Sequence, residues 1–272
     1  MIPVAAPLLK TFTRRFFRLT LFRICKFFLE RNLFKMEKVP VWVCSNRIGV
    51  YAIPLTSSHR PAARKVIVGE IHEPQTVELI SNYQPDGDII HAGAYFGDFL
   101  PAFALSRQRG ATVWAFEPNR INYSCCQMTI LLNELSNVTL FHSALGADAS
   151  DGFIRIIDET GYILGGGGDV VFQKDVPRSG DPSREKLEPV KIQTLDSVIP
   201  QERRVSVIQL DVEGFEQHAL SGALRIICRW KPLLVLESVP EKGWLDRYIY
   251  PLGYQLTGKA HMNSIFTPTS HH

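Results

Sequence analysis

Short apolar runs alternate with amphipathic stretches along most of the chain. The runs at Asp88 to Ala92, Thr112 to Phe116, Val138 to Phe141, Val205 to Leu210 and Leu233 to Leu236 carry few polar interruptions, the pattern of strands covered on both faces. Between them the 3.6-residue period predicts helices over Thr76 to Tyr83, from Gly97 to Gln108, over Arg120 to Leu135, over Phe215 to Cys228 and near Trp244 to Tyr250. Pro85 stops the first of these, and Asp86-Gly87 supplies the turn into the first long strand. A last strand pair is expected around Tyr254 to Leu256 and Ser264 to Thr267. Strands alternating with helices at this spacing predict an α/β, doubly wound and mostly parallel sheet. Upstream, Val41 to Val43 and Gly49 to Pro54 read as two short strands around Ser45-Asn46, a small β apron spanning 39–72 ahead of a main domain at 73–272. Residues 158–190 break the rhythm with Gly165 to Gly168 and a charged stretch, which reads either as a mobile insertion able to act as a lid or as a surface excursion without a role.

Residues 8–38 form a third segment. They hold nine basic side chains against Glu30 and Glu37, a charge of +7, which leaves −4 for the rest of a chain whose formal net charge is +3. A mildly acidic body does not attract nucleic acid, so no nucleic-acid partner is expected. Phe12, Phe16, Phe17, Phe22, Phe27 and Phe28 recur among the basic residues at helical spacing. This basic amphipathic arm, 1–38, suits peripheral contact with anionic lipid or, equally, packing on the body or on a second copy in a homo-oligomer. Arg23 and Lys26 interrupt any signal-peptide core, and no run is apolar enough to span a bilayer. Five cysteines without a C-x-x-C spacing give neither a disulfide framework nor a zinc site and suit a reducing compartment. A cytoplasmic location is expected, peripheral at the inner membrane face if the arm adsorbs.

Candidate chemistry starts at the first strand-to-helix junction, His91-Ala92-Gly93-Ala94-Tyr95-Phe96-Gly97-Asp98. Glycines at 93 and 97 allow a sharp turn and a close approach to a ligand at a helix start. The spacing is G-x-x-x-G, not the G-x-G-x-x-G that admits a pyrophosphate, so the loop suits a nucleoside without phosphates. The next strand ends in Phe116-Glu117-Pro118-Asn119, where a carboxylate can accept both hydroxyls of a ribose or can simply open the following helix. A third strand delivers Asp211 and Glu213 to its carboxyl end ahead of Gly214, and Glu237 ends a fourth. Glu216 reads as a capping residue.

The succession His91-Ala-Gly-Ala-Tyr-Phe-Gly-Asp, Phe116-Glu-Pro-Asn, Ser143-Ala-Leu-Gly, Thr194-Leu-Asp-Ser, Leu210-Asp-Val-Glu-Gly-Phe-Glu, Ala223 and Leu236-Glu resembles FkbM-type S-adenosylmethionine-dependent methyltransferases. The resemblance runs from about Glu73 to Glu237. It implies a class I methyltransferase fold, a Rossmann-like sheet of seven strands with the last antiparallel, S-adenosylmethionine as cofactor, and O-methylation of a hydroxyl on a sugar, glycan or natural product. It implies a cofactor site at His91, Gly93, Ala94, Tyr95, Gly97, Asp98, Glu117, Pro118, Asn119, Ser143, Ala144 and Asp211. Two positions depart from the family pattern: His91 stands where an acid is usual, and Gln209 where a lysine is usual. Proton removal from the acceptor falls to Asp211, Glu213, Glu237 or His218, with Asp211 equally suited to holding the cofactor's amino group. Oxygen ligands at Asp211, Glu213 and Glu237 would suit magnesium, but the spacing alone leads to no expected metal site. His261 has no partner legible in the sequence. Two other readings stay open: a catalytically silent binding protein on the same fold, which His91 and Gln209 favour, and a nicotinamide-dependent oxidoreductase, which the missing third glycine disfavours.

Overall fold

The structure is a computed structural model that describes residues 39–83, 86–107, 110–157, 163–172 and 186–269. The basic arm, and the parts of the expected insertion at 158–162 and 173–185, lie outside the described residues. From Val41 onward the chain forms one compact unit.

Seven strands make the central sheet: β3 (Asp88–Ala92), β4 (Val113–Phe116), β5 (Val138–Phe141), β10 (Val205–Leu210), β11 (Leu233–Leu236), β12 (Tyr254–Ala260) and β13 (Asn263–Pro268). Their order is β12-β13-β11-β10-β3-β4-β5. The pairs β11/β10, β10/β3, β3/β4 and β4/β5 run parallel, whereas β13 pairs antiparallel with both β11 and β12, so the sheet is mixed. Every residue of β3, β10 and β11 is buried. Successive residues feed two different cores: Ile90, Ile208 and Leu234 pack on one face, and Ile89, Val207 and Val235 on the other. At the root of β3, Asp88 is 2% exposed. It accepts hydrogen bonds from Thr112 N at 2.8 Å, Trp114 Nε1 at 2.7 Å and Arg203 Nε at 2.7 Å, which pins three neighbouring segments together.

Helices α1 (Pro61–Ile67), α2 (Pro74–Ser81), α3 (Leu100–Ser106), α4 (Arg120–Leu132), α5 (Leu195–Val198), α6 (Glu216–Ser221), α7 (Leu224–Trp230) and α8 (Lys242–Tyr248) complete the layers. Among the described residues no helix is long and apolar enough to cross a membrane. The apron strands β1 (Val41–Ser45) and β2 (Val50–Pro54) pair antiparallel, and β2 docks on α4. Ala52 N donates to Thr129 Oγ1 at 3.1 Å, while Asn133 accepts from Val50 N at 2.8 Å and donates back to Val50 O at 2.6 Å. Tyr51, Ala52 and Ile53 are fully buried, and the Tyr51 ring meets Phe96 edge-on at 6.3 Å, so the apron packs onto the main domain.

Two expectations need correction. The single helix expected over Phe215 to Cys228 is two, α6 and α7, broken at Gly222-Ala223. A Cβ on Gly222 would stand 2.1 Å from the Gly146 carbonyl oxygen, so the break lets two backbones touch. Asp196 then caps α7, accepting from Arg225 N at 2.8 Å and Ile226 N at 3.1 Å. The stretch at 158–190 is also not wholly irregular. It contributes β8 (Val170–Phe172) and the start of β9 (Lys186–Gln193) to a second sheet, ordered β6-β9-β7-β8 with β6 (Ala144–Leu145) and β7 (Ser150–Ile157).

Candidate functional site

The strand order reverses at β3: β4 lies on one side and β10, much later in the chain, on the other. Crevices of open α/β sheets form at the carboxyl ends of such strands. Here two adjoining cavities occupy that position and share Gly93, Gly166, Asp211 and Glu213 as walls.

The first is a slot of about 30 Å³ lined by Phe116, Glu117, Pro118, Ser143, Ala144, Leu145, Ile154 and Val170 among others. Glu117 leaves β4 and is 3% exposed. Its Oε2 accepts from Tyr95 N at 2.7 Å and its Oε1 from Asn119 N at 2.9 Å. Burial pushes its carboxyl up to about 8 against the lowering effect of those backbone donors. Ser143 is 2% exposed and its Oγ has no partner, an orphaned hydroxyl in the slot wall. Gly165 to Gly168, expected in a loop, cover the slot. Asn122 Nδ2 holds the Gly165 carbonyl oxygen at 3.1 Å, and a Cβ on Gly166 would lie 3.3 Å from the Tyr95 ring. In this conformation the slot is far too small for a nucleoside.

The second cavity is about 250 Å³ and is lined by His91, Asp98, Asp211, Glu213 and Glu237 together with Arg60, His72, Glu73 and His261. Asp211, Glu213 and Glu237 offer oxygen atoms within 4.8 Å of one another. Removal from solvent, then the Glu237 carboxylate, then Glu213, hold the Asp211 carboxyl well above the usual range. Burial also raises Glu213, and it takes Asp98 up to about 7. The two loops meet tightly: Gly93 has φ +82°, and a Cβ there would stand 1.8 Å from the Asp211 carbonyl oxygen. Only glycine fits that junction.

The two departures from the family pattern are neighbours in space. His91 on β3 and Gln209 on β10 are register partners, and His91 Nδ1 faces Gln209 Oε1. His91 is 1% exposed, stacks on Phe99 at 5.5 Å, and is held neutral by burial, its pKa lowered to about 4. His91 and Gln209 make an uncharged buried pair across the strand junction.

Other expected site residues are placed differently. Ala94 is fully buried in the hydrophobic core, and Gly97, with φ +85°, packs against Cys126 and Thr129. Neither lines either cavity. Asn119 caps α4, its Oδ1 accepting from Ile121 N and Asn122 N. His218 is exposed on α6, tilted against Phe215 at 5.0 Å, and lines neither cavity, so it is not brought to the other candidate bases. Glu216 accepts from Val212 N at 3.1 Å in the loop ahead of α6, so it ties down that loop and makes no side-chain cap of the helix, contrary to the capping role expected.

Sequence reasoning missed a cluster at the rim. Glu73 Oε2 accepts from Asn263 Nδ2 at 2.7 Å and from the Thr76 hydroxyl at 2.9 Å, while Oε1 meets His261 Nδ1 at 3.1 Å. His261 thus does have a partner, reached through the β12–β13 hairpin. The signal that gathers these residues is conformational: Glu73, Tyr95, Glu213 and His261 have φ of 41°, 50°, 53° and 53°, and all four line the larger cavity. Non-glycine residues in the left-handed region are strained and concentrate at functional sites.

The chain matches the family described as Methyltransferase FkbM domain over residues 91–257. Among solved structures it is similar to methyltransferase FkbM from Methylobacillus flagellatus KT, at 20% identity and TM-score 0.43, covering 67% of this chain and 43% of that one. It is also similar to a precorrin-6y C5,15-methyltransferase from Geobacter metallireducens, at 13% identity and TM-score 0.38, covering 79% and 96%. A SAM-dependent O-methyltransferase from Thermotoga maritima is similar at 12% identity and TM-score 0.39, covering 73% and 66%. No curated protein matches.

Proposed function

The chain belongs to the methyltransferase FkbM family, and from that premise we propose that it transfers a methyl group from S-adenosylmethionine to a hydroxyl of a sugar, glycan or natural product. The observation that carries this reading is the pair of adjoining cavities, one apolar with a buried carboxylate and an orphaned hydroxyl, the other acidic. Their donors fit the cofactor's two ends. Glu117 retains lone pairs for a ribose diol, and Ser143 Oγ and the slot walls suit an adenine. Asp98, which follows Gly97 and lines the second cavity, suits the amino group of the methionine end. Room for the nucleoside requires the glycine run to lift from Tyr95, so 165–168 acts as the lid.

When bound, S-adenosylmethionine supplies a methyl group already activated on a sulfonium. The protein's contribution is then to hold the acceptor oxygen in line and to take its proton. Orientation accounts for most of the acceleration, and a base typically adds a factor of about 10² to 10⁴. Asp211, Glu213 and Glu237 bring one oxygen each within 4.8 Å of the others, so the cluster as a unit, rather than one named acid, receives the acceptor's proton. His91 and Gln209 support an intact site over a degraded one, because the two buried side chains are register partners that face one another. Calorimetric titration with S-adenosylmethionine and S-adenosylhomocysteine tests the reading. Binding of both, weakened about tenfold or more by Glu117→Gln, is expected; binding of neither overturns it.

A further inference from the structure

We propose that the acidic cavity is a divalent-cation site, with Asp211, Glu213 and Glu237 as carboxylate ligands and His91 Nε2 accepting a hydrogen bond from a cation-bound water. Three observations converge on it. Asp211 and Glu237 end the adjacent parallel strands β10 and β11, and Glu213, two residues beyond Asp211, is turned back in the left-handed region, so one oxygen from each comes within 4.8 Å of the others. Among the described residues none of the three forms an ion pair within 4.0 Å; Arg60 lines the same cavity without reaching that distance of any of them. Three crowded carboxylates left without a cation repel one another, and a hard divalent ion that prefers oxygen ligands relieves this.

The second, independent indication is His91. It is 1% exposed and lines the same cavity, yet its Nε2 has no partner. Gln209 Oε1 facing Nδ1 places the proton on Nδ1, which leaves Nε2 as an acceptor. Gln209, the register partner of His91, stands two residues before Asp211, and His91 and Asp211 line the same cavity. A buried acceptor without a donor calls for one, and a cation-bound water supplies it. Cation binding does not depend on the methyl-transfer reading; a role in polarising the acceptor hydroxyl rests on it.

The test is loss of the free Mn²⁺ paramagnetic resonance signal on titration with the full chain, with Mg²⁺ as competitor. One Mn²⁺ per chain is expected, displaced by Mg²⁺ and weakened about tenfold or more by Glu213→Gln and by Glu237→Gln. Glu213 is exposed, so its variant keeps the test valid if others fail to fold, and Glu202→Gln, remote from the cavity, is expected to bind as the parent does. No signal loss, or loss unchanged in both cavity variants, overturns the proposal. Displacement of Mn²⁺ by S-adenosylmethionine also overturns it, because the acids then serve the cofactor's amino group. Parallel calorimetry keeps the two readings apart: cofactor binding without Mn²⁺ removes only the cation, and Mn²⁺ binding without cofactor removes only the methyltransferase reading.

Discussion

The His91–Gln209 pair permits a double-mutant cycle that replaces two facing uncharged side chains with two of opposite charge. Gln209 is fully buried and His91 is 1% exposed, with Phe99 stacked on the imidazole at 5.5 Å. Gln209→Lys alone puts an ammonium beside a neutral ring with no anion on the facing register position, which costs about 3–5 kcal/mol for an uncompensated buried charge. His91→Asp alone leaves a buried carboxylate facing an amide and opens a void under Phe99, a loss of about 3 kcal/mol or more. In the double variant the two charges face each other. Its destabilisation is therefore expected to fall short of the sum of the single values by about 2–3 kcal/mol. Guanidinium unfolding of all four proteins at one pH measures this. Additivity within about 0.5 kcal/mol would refute the reasoning, since partners across one hydrogen bond cannot act independently.

Three further outcomes follow from the same geometry. Burial holds the His91 pKa at about 4, below its unfolded value, so the unfolded chain binds the extra proton in between. Stability from this residue is thus complete above about pH 6.5 and is lost as pH falls towards 4, by on the order of 3 kcal/mol. Asp98 and Glu117, raised to about 7 and about 8, act in the opposite sense, so unfolding of the wild type against His91→Phe across this range isolates the histidine; parallel curves would contradict it. Asn122→Ala removes the bond that holds Gly165 O at 3.1 Å, and stopped-flow mixing should show faster association of S-adenosylhomocysteine, whereas an unchanged rate would mean the glycine run is not the barrier. Arg203→Met strips Asp88 of its cation while leaving it 2% exposed; a loss of about 3 kcal/mol is expected in urea unfolding, partly restored by Asp88→Asn, and no restoration would place the loss elsewhere.

The strands of the central sheet were legible because buried parallel strands are written as uninterrupted apolar runs, and Asp88–Ala92, Val138–Phe141, Val205–Leu210 and Leu233–Leu236 lie where the pattern put them. The second sheet was not. Its β6 and β9 pair across a wide sequence gap, and β9 alternates charged and apolar residues, so neither reads as a core strand. Glu117, Asp211 and Glu237 were legible because each follows directly on an apolar run, and Glu213 because it stands two residues beyond Asp211. Glu73 and His261 were not, since 188 positions separate them and only the β12–β13 hairpin brings the imidazole to the carboxylate. Gly97 and Asn119 belong to the loop motif by position but serve packing and helix capping, a division that spacing alone cannot make.

The four left-handed residues around the larger cavity set a trap for anyone engineering this chain for heat tolerance. At the two that are exposed, Glu213 and His261, a glycine or asparagine would relax the backbone by about 1 kcal/mol each, so a screen scored on melting temperature alone will favour such replacements. Each gain would delete a side chain from the cavity wall, and a hardened variant selected that way would emerge with its pocket dismantled.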